Sequence, residues 1–154
     1  MMLADFVAIQ RVAMNVKTGA AARYGADNGR GSDALDLFAC RGECATAKAL
    51  NLYWSGSIGD YKAVDVGGLV EVRSVNEPRR RLMVHKPDRD DFPFVLADTS
   101  KAPTVHLRGW MIGRDAKRAE WWRDPTGTGR HAFFVPLESL HDMAALIKRL
   151  KAAT

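Results

Sequence analysis

Asp65 and Glu71 flank a glycine pair in the stretch Asp60-Tyr-Lys-Ala-Val-Asp-Val-Gly-Gly-Leu-Val-Glu-Val-Arg73, where valines alternate with charged residues. Period-two alternation around Gly67-Gly68 predicts a β-hairpin. If the loop held only the two glycines, Val66 would face Leu69, Asp65 would face Val70 and Val64 would face Glu71, so each face would mix valines with charges. A three-residue loop of Gly67, Gly68 and Leu69, or an equivalent bulge, instead pairs Val66 with Val70, Asp65 with Glu71, Val64 with Val72 and Ala63 with Arg73. A one-residue slip sends every side chain to the other face, so burial of the four valines selects the second register.

In that register two carboxylates stand opposite each other with Cβ atoms about 4.5–5.5 Å apart. They repel unless a proton or a cation comes between them, and a hard divalent ion such as Mg²⁺ suits an all-oxygen site. Arg73 projects from the same face beside them, and Ala63 opposite leaves space. The same pattern also fits an amphipathic hairpin whose polar face is solvated, with Arg73 neutralising its two acidic neighbours.

A third carboxylate, Glu43, falls within an expected helix. Its neighbours at three and four residues are Ala39, Cys40, Thr46 and Ala47, so it has no local Lys or Arg partner. Two placements follow: a Glu turned inward toward the acidic pair, or a surface Glu left in water by short neighbours.

A helix carrying Gly42-Glu-Cys-Ala45, then a hairpin with Asp65, then Glu71-Val-Arg73, resembles the PD-(D/E)XK nuclease superfamily, the restriction-endonuclease-like fold of many phage and bacterial nucleases. The resemblance spans about residues 36 to 75 and rests on a degenerate motif. It implies a metal-dependent nuclease hydrolysing DNA phosphodiesters, with Mg²⁺ or Mn²⁺ held by Asp65, Glu71 and the Val72 carbonyl, and with Glu43 as a direct or water-mediated ligand. It also implies that Asp65, Glu71, Arg73 and Glu43 form the catalytic set. Arg73 stands where the family usually has Lys. An arginine stays protonated and cannot act as a base, but it can orient water or grip the scissile phosphate with two hydrogen bonds. The alternative is a nuclease-like domain that has lost catalysis and serves as a nucleic-acid-binding or protein-interaction module.

The elements that must position these residues follow from the rest of the pattern. Leu3 to about Lys17 predicts a helix, and Thr18–Ser32, with Gly19, Gly25, Gly29 and Gly31, predicts a connection, so residues 1–32 form an N-terminal helix and a Gly-rich link. A second helix is expected from Asp33 or Asp36 to about Tyr53, with Gly42 an unfavourable residue inside it. Strands are expected at Arg81–His85, Phe94–Ala97, Thr104–Ile112 and His131–Val135. Lys86–Asp91 reads as a turn, and helices are expected at Asp115–Trp122 and Ser139–Leu150. That order predicts one α/β domain over residues 1–154: a central mixed, mostly antiparallel sheet flanked by helices.

The chain has 154 residues, 47% of them hydrophobic and 27% charged, with a net charge of +5. These proportions exclude collagen-like and disordered classes and favour an anionic partner. DNA, or RNA, is the expected partner, with Arg79, Arg80 and Arg81 as contacts to its backbone if they share a face with other basic residues. A homodimer is compatible with the sequence. Trp121 and Trp122 are either base-stacking residues or core. No apolar run is long enough to span a bilayer, and no signal peptide is visible. Cys40 and Cys44 lack the companions of a zinc site and read as reduced thiols of a cytoplasmic protein, and His85, His106, His131 and His141 match no ligand spacing.

Overall fold

The computed structural model describes residues 2–18, 32–58 and 63–152. Helix α1 spans Met2–Thr18 and α2 spans Ser32–Leu50. Strand β1 (Glu71–Val75) follows, then β2 (Leu82–Val84), β3 (Pro93–Lys101), β4 (Thr104–Ile112), the short α3 (Gly113–Ala116), β5 (Trp122–Arg123), β6 (Ala132–Val135) and α4 (Met143–Ala152). The expected Gly-rich link falls between α1 and α2, where residues 19–31 lie outside the described residues.

The boundaries of α2 differ from expectation at both ends. The helix starts at Ser32, before either aspartate, and stops at Leu50 rather than Tyr53. Its end has a local cause: Asn51 takes φ +54°, its N–H reaches the Lys48 carbonyl at 3.3 Å, and the Leu52 N–H reaches Ala47 at 2.9 Å. Two orphan carbonyls are thereby satisfied and the chain turns out of the helix. Asp115–Trp122 likewise resolves into α3 and a 3₁₀ turn, Ala119–Trp121.

One central sheet was expected; the strands form two. The first has the order β1-β3-β4, with β1 parallel to β3 and β3 antiparallel to β4, and the second is antiparallel in the order β2-β6-β5. The physical reason is the double-sided burial of β3, whose residues Pro93 to Thr99 are all buried. On one face Val95 and Ala97 join Val66, Val70, Val72, Trp110 and Ile112 against Ala47 of α2 and Leu146 of α4. On the other, Phe94, Leu96 and Met111 meet Leu82, Val84 and Val135 of the second sheet and Trp121. A strand apolar on both faces needs a cover on both. Helix α1 packs on the outer side of α2 through Ala4, Val7, Ala8 and Cys40. No described helix is long and apolar enough to cross a membrane.

Gly42 is the contact point between α2 and the first sheet. A Cβ there would lie 2.0 Å from Ser74 Oγ and 3.0 Å from the Ala97 Cβ, so only glycine lets the helix lie this close to β1. The next residue, Glu43, is also buried, at 5% exposure.

Candidate functional site

The three-residue loop forms as expected. Val66 and Val70 exchange two backbone hydrogen bonds of 3.1 Å, and Gly67 and Gly68 take φ of +60° and +69°. Val66, Val70 and Val72 are buried in one core, while Val64 is half-buried. The expected ladder goes no further, however. The Val66–Val70 bridge is isolated among the described residues, and the Val64–Val72 and Ala63–Arg73 pairs do not form. Two competing partners explain the difference. The Asp65 carboxylate takes the Val72 N–H at 2.7 Å, and the strand beginning at Glu71 pairs with β3 instead.

The register of β1 on β3 decides where each site residue points. Glu71 and Arg73 lie beside Phe94 and Leu96, on the face that carries the second sheet, whereas Val72 lies beside Val95 on the helix-covered face. The Arg73 guanidinium sits over the Phe94 ring at 5.1 Å. It donates to Asp88 at 2.8 Å, lies 3.7 Å from Glu71, and makes a long 3.4 Å contact with the Val72 carbonyl.

Burial dominates the electrostatics of the acidic pair. Loss of water pushes the Asp65 carboxyl up to about 7, reinforced by the charges of Glu43 and Glu71 and opposed by the Val72 N–H and Arg73. Burial also raises Glu71, against the pull of Arg73 and of its hydrogen bond to Asp65. Both carboxyls are therefore biased toward holding a proton.

Glu43 affects Asp65 through its charge, but its own oxygens are engaged elsewhere. Arg11 of α1 donates to both of them at 2.9 Å, and Trp54 Nε1 donates to one at 2.9 Å. Arg11 also holds the Ser57 carbonyl at 2.9 Å. Among the described residues, no set of three or more His, Cys, Asp or Glu is gathered as metal ligands. The donors brought together are thus the carboxylates of Asp65 and Glu71, while the Val72 carbonyl takes the long contact from Arg73.

Arg79, Arg80 and Arg81 are exposed on the β1–β2 connection, where Arg80 pairs with Glu77 at 3.0 Å. Trp121 is core at 6% exposure; Trp122 is 38% exposed. Cys40 is buried and Cys44 half-buried, and both are free thiols.

Sequence reasoning did not find Asp88, Arg11 or Trp54. Asp88 lies in the Lys86–Asp91 turn, where its carboxylate also accepts the His85 N–H at 2.8 Å. That turn is strapped to the region after β4: Arg114 N–H reaches the Asp90 carbonyl at 2.9 Å, and Lys117 Nζ contacts the Asp88 carbonyl and, at 2.6 Å, the Asp90 carboxylate. The only trace in the sequence was the excess of acid in Asp88-Arg-Asp-Asp91. Burial holds the His85 imidazole below its ordinary value, with Arg73 acting in the same direction and Asp88 against it.

No family model, curated protein or solved structure matches this chain. Its functional reading therefore stands on the residues and their geometry.

Proposed function

We propose that the chain is a metal-dependent nuclease of the restriction-endonuclease-like, PD-(D/E)XK type. The observation that carries this reading is the half-buried acidic pair Asp65 and Glu71, held at the start of β1 by the bond from the Val72 N–H to Asp65, with Arg73 3.7 Å from Glu71. Two carboxylates forced together out of water require a positive partner, and Mg²⁺, which keeps several of its own waters, suits a site with two carboxylates and one carbonyl. Asp65, Glu71 and the Val72 carbonyl would hold it. The chemistry supplied on binding is Lewis acidity toward water and phosphate. Glu43 then acts from outside the ligand set, adding negative charge while Arg11 fixes its orientation.

Within such a site Arg73 grips a phosphate oxygen and stabilises the charge that develops during attack. Asp88 and Phe94 hold its planar head in place, and Asp88 balances part of its charge. His85, whose half-buried imidazole is held below its ordinary value and whose backbone N–H donates to Asp88, is a nearby group chemically able to accept a proton, which Arg73 is not.

The second reading, a binding module without catalysis, draws on the same arginine. A guanidinium already shared between Glu71 and Asp88 is an internal counter-ion that occupies the acidic site. Incubating the protein with plasmid, linear and single-stranded DNA in Mg²⁺ or Mn²⁺ separates the two. The nuclease reading expects cleavage that Glu71→Ala abolishes; cleavage indifferent to that substitution overturns it, and DNA binding without cleavage favours the module.

A further inference from the structure

Helix α1 inverts the pattern of an ordinary surface helix. Its charged side chains reach toward α2, where Arg11 holds Glu43 and Asp5 accepts from Arg41 at 2.8 Å. Ala4, Val7 and Ala8 complete that contact. The outer face carries the large apolar residues: Met2, Leu3, Phe6, Ile9 and Met14 are exposed, from 37% at Met14 to 88% at Met2. A helix apolar on opposite sides is normally covered on both. The five side chains leave on the order of 600 Å² bare, the upper end of what a monomer carries in one patch.

The spacing on that face is the one by which two helices pack. Leu3, Phe6, Gln10, Ala13 and Lys17 recur at alternating steps of three and four, and all five are exposed. The stripe also matches itself in reverse. Laid antiparallel on a second copy, Leu3 meets Ala13 of the other copy, Phe6 meets Gln10, and Met2 flanks Met14. Large side chains thus face smaller ones, the two helix dipoles oppose, and each Lys17 lies beyond the seam in water. A parallel pairing sets Leu3 on Leu3, Phe6 on Phe6 and, with like charges opposed, Lys17 on Lys17.

We infer that the outer face of α1 is the interface of a homodimer, two copies pairing antiparallel about a two-fold axis that passes between Phe6 and Gln10. Pairing two such faces removes about 1,200 Å² from water, the lower edge of specific interfaces. A lipid surface is a poorer match. Interfacial helices flank their apolar face with Lys and Arg, whereas Arg11 is committed to Glu43 and Lys17 is the exposed basic residue of α1. The inference rests on neither metal nor nucleic acid and is separate from the nuclease reading.

The test is sedimentation equilibrium of the full chain in EDTA over a wide concentration range. The wild type is expected to show the mass of two chains at high micromolar concentration and of one chain on dilution. Phe6→Glu/Ile9→Glu, which puts carboxylates into the seam, should weaken association by about a hundredfold. Pair geometry is read by disulfide trapping, with the wild type as blank for Cys40 and Cys44. Leu3→Cys mixed with Ala13→Cys should form a mixed disulfide, whereas Leu3→Cys alone should not, its two copies lying about 15 Å apart along the helices. A wild type of one-chain mass throughout, whether or not it sediments with anionic vesicles, overturns the inference. So does a dimer that Phe6→Glu/Ile9→Glu leaves intact. If that variant melts earlier than dilute wild type, the trapping decides instead: no mixed disulfide, or equal trapping of Leu3→Cys alone, overturns it. An α1 dimer that never cuts DNA keeps the interface and removes the nuclease. Glu71-dependent cleavage by a strictly monomeric chain does the reverse.

Discussion

The Asp65 carboxylate caps the Val72 N–H at 2.7 Å, across the loop formed by Gly67, Gly68 and Leu69. This one bond takes the place of a hairpin ladder. It draws Asp65 out of water and fixes it at the mouth of β1, where Glu71 and Glu43 already place negative charge. A hydrogen bond that favours the ionised form thus lies within surroundings that favour the neutral one.

Stability should therefore fall as pH rises in metal-free buffer. The Asp65 carboxyl titrates near 7 in the folded chain and near 3.8 in the reference state. Between those values the native state keeps a proton that the unfolded chain has released, so stability declines across the window and levels off above about pH 7. At about 1.36 kcal/mol per pKa unit the whole effect is on the order of 4 kcal/mol at most. The raised Glu71 adds in the same direction, whereas the lowered His85 opposes it as pH falls below the ordinary histidine range. Thermal melts from pH 4 to 8 should show the decline in the wild type, and Asp65→Asn, which keeps an acceptor for the Val72 N–H, should flatten most of it. An unchanged profile in Asp65→Asn would mean that Asp65 is ionised throughout.

Divalent cations should stabilise the fold more at pH 8 than at pH 5. Metal and proton compete for the same oxygens, so protonation of the pair lowers metal affinity. With Mg²⁺ at about 100 times its dissociation constant the gain is about 2.7 kcal/mol. The measurement is the rise in Tm on adding Mg²⁺ or Mn²⁺ at each pH. Glu71→Gln should remove the rise, and a rise that survives that substitution would place the ion elsewhere.

Arg11 links the N-terminal helix to the site. Replacing it by Met leaves the buried Glu43 with the Trp54 indole N–H but without its guanidinium and should cost about 3 kcal/mol, the usual penalty for stranding one member of a buried ion pair. Glu43→Gln in the same background should restore part of that loss, because a neutral amide is far less costly to bury alone. Denaturant melts of the single and double variants measure the difference. A double variant no more stable than Arg11→Met would mean that packing, not charge, gives Arg11 its role.

Gly42→Ala should destabilise the fold, contrary to its effect in a solvent-facing helix, where alanine gains about 1 kcal/mol over glycine. Here the added methyl meets Ser74 Oγ at 2.0 Å and Ala97 at 3.0 Å, and overpacking of this kind costs about 1–3 kcal/mol. Ser74→Ala alone should be neutral or slightly stabilising, since its buried hydroxyl finds no hydrogen-bond partner among the described residues. Combined with Gly42→Ala it should recover part of the loss. Chemical melts would show both effects, and a stabilised Gly42→Ala would mean that α2 can move away from β1.

Several features were legible from local pattern. The helices at 2–18 and 32–50, the long strands at 93–101 and 104–112 and the Gly67–Leu69 loop all express period and turn chemistry, which the chain carries within a few residues. Burial of the valines alone selected the Val66–Val70 pairing and so the approach of Asp65 to Glu71. Other features depend on residues far apart in the chain. Whether the apolar strands form one sheet or two depends on both faces of β3 needing a cover, and the partner of Glu71–Val75 is a strand more than a loop away. Arg73 meets Asp88, and Glu43 meets Arg11, because packed elements bring those charges together, with no local spacing to announce it. Sequence alone determined which side chains could share chemistry across a short turn. Tertiary structure decided which of them lose their water, and with it whether each carboxylate keeps a proton or meets an arginine.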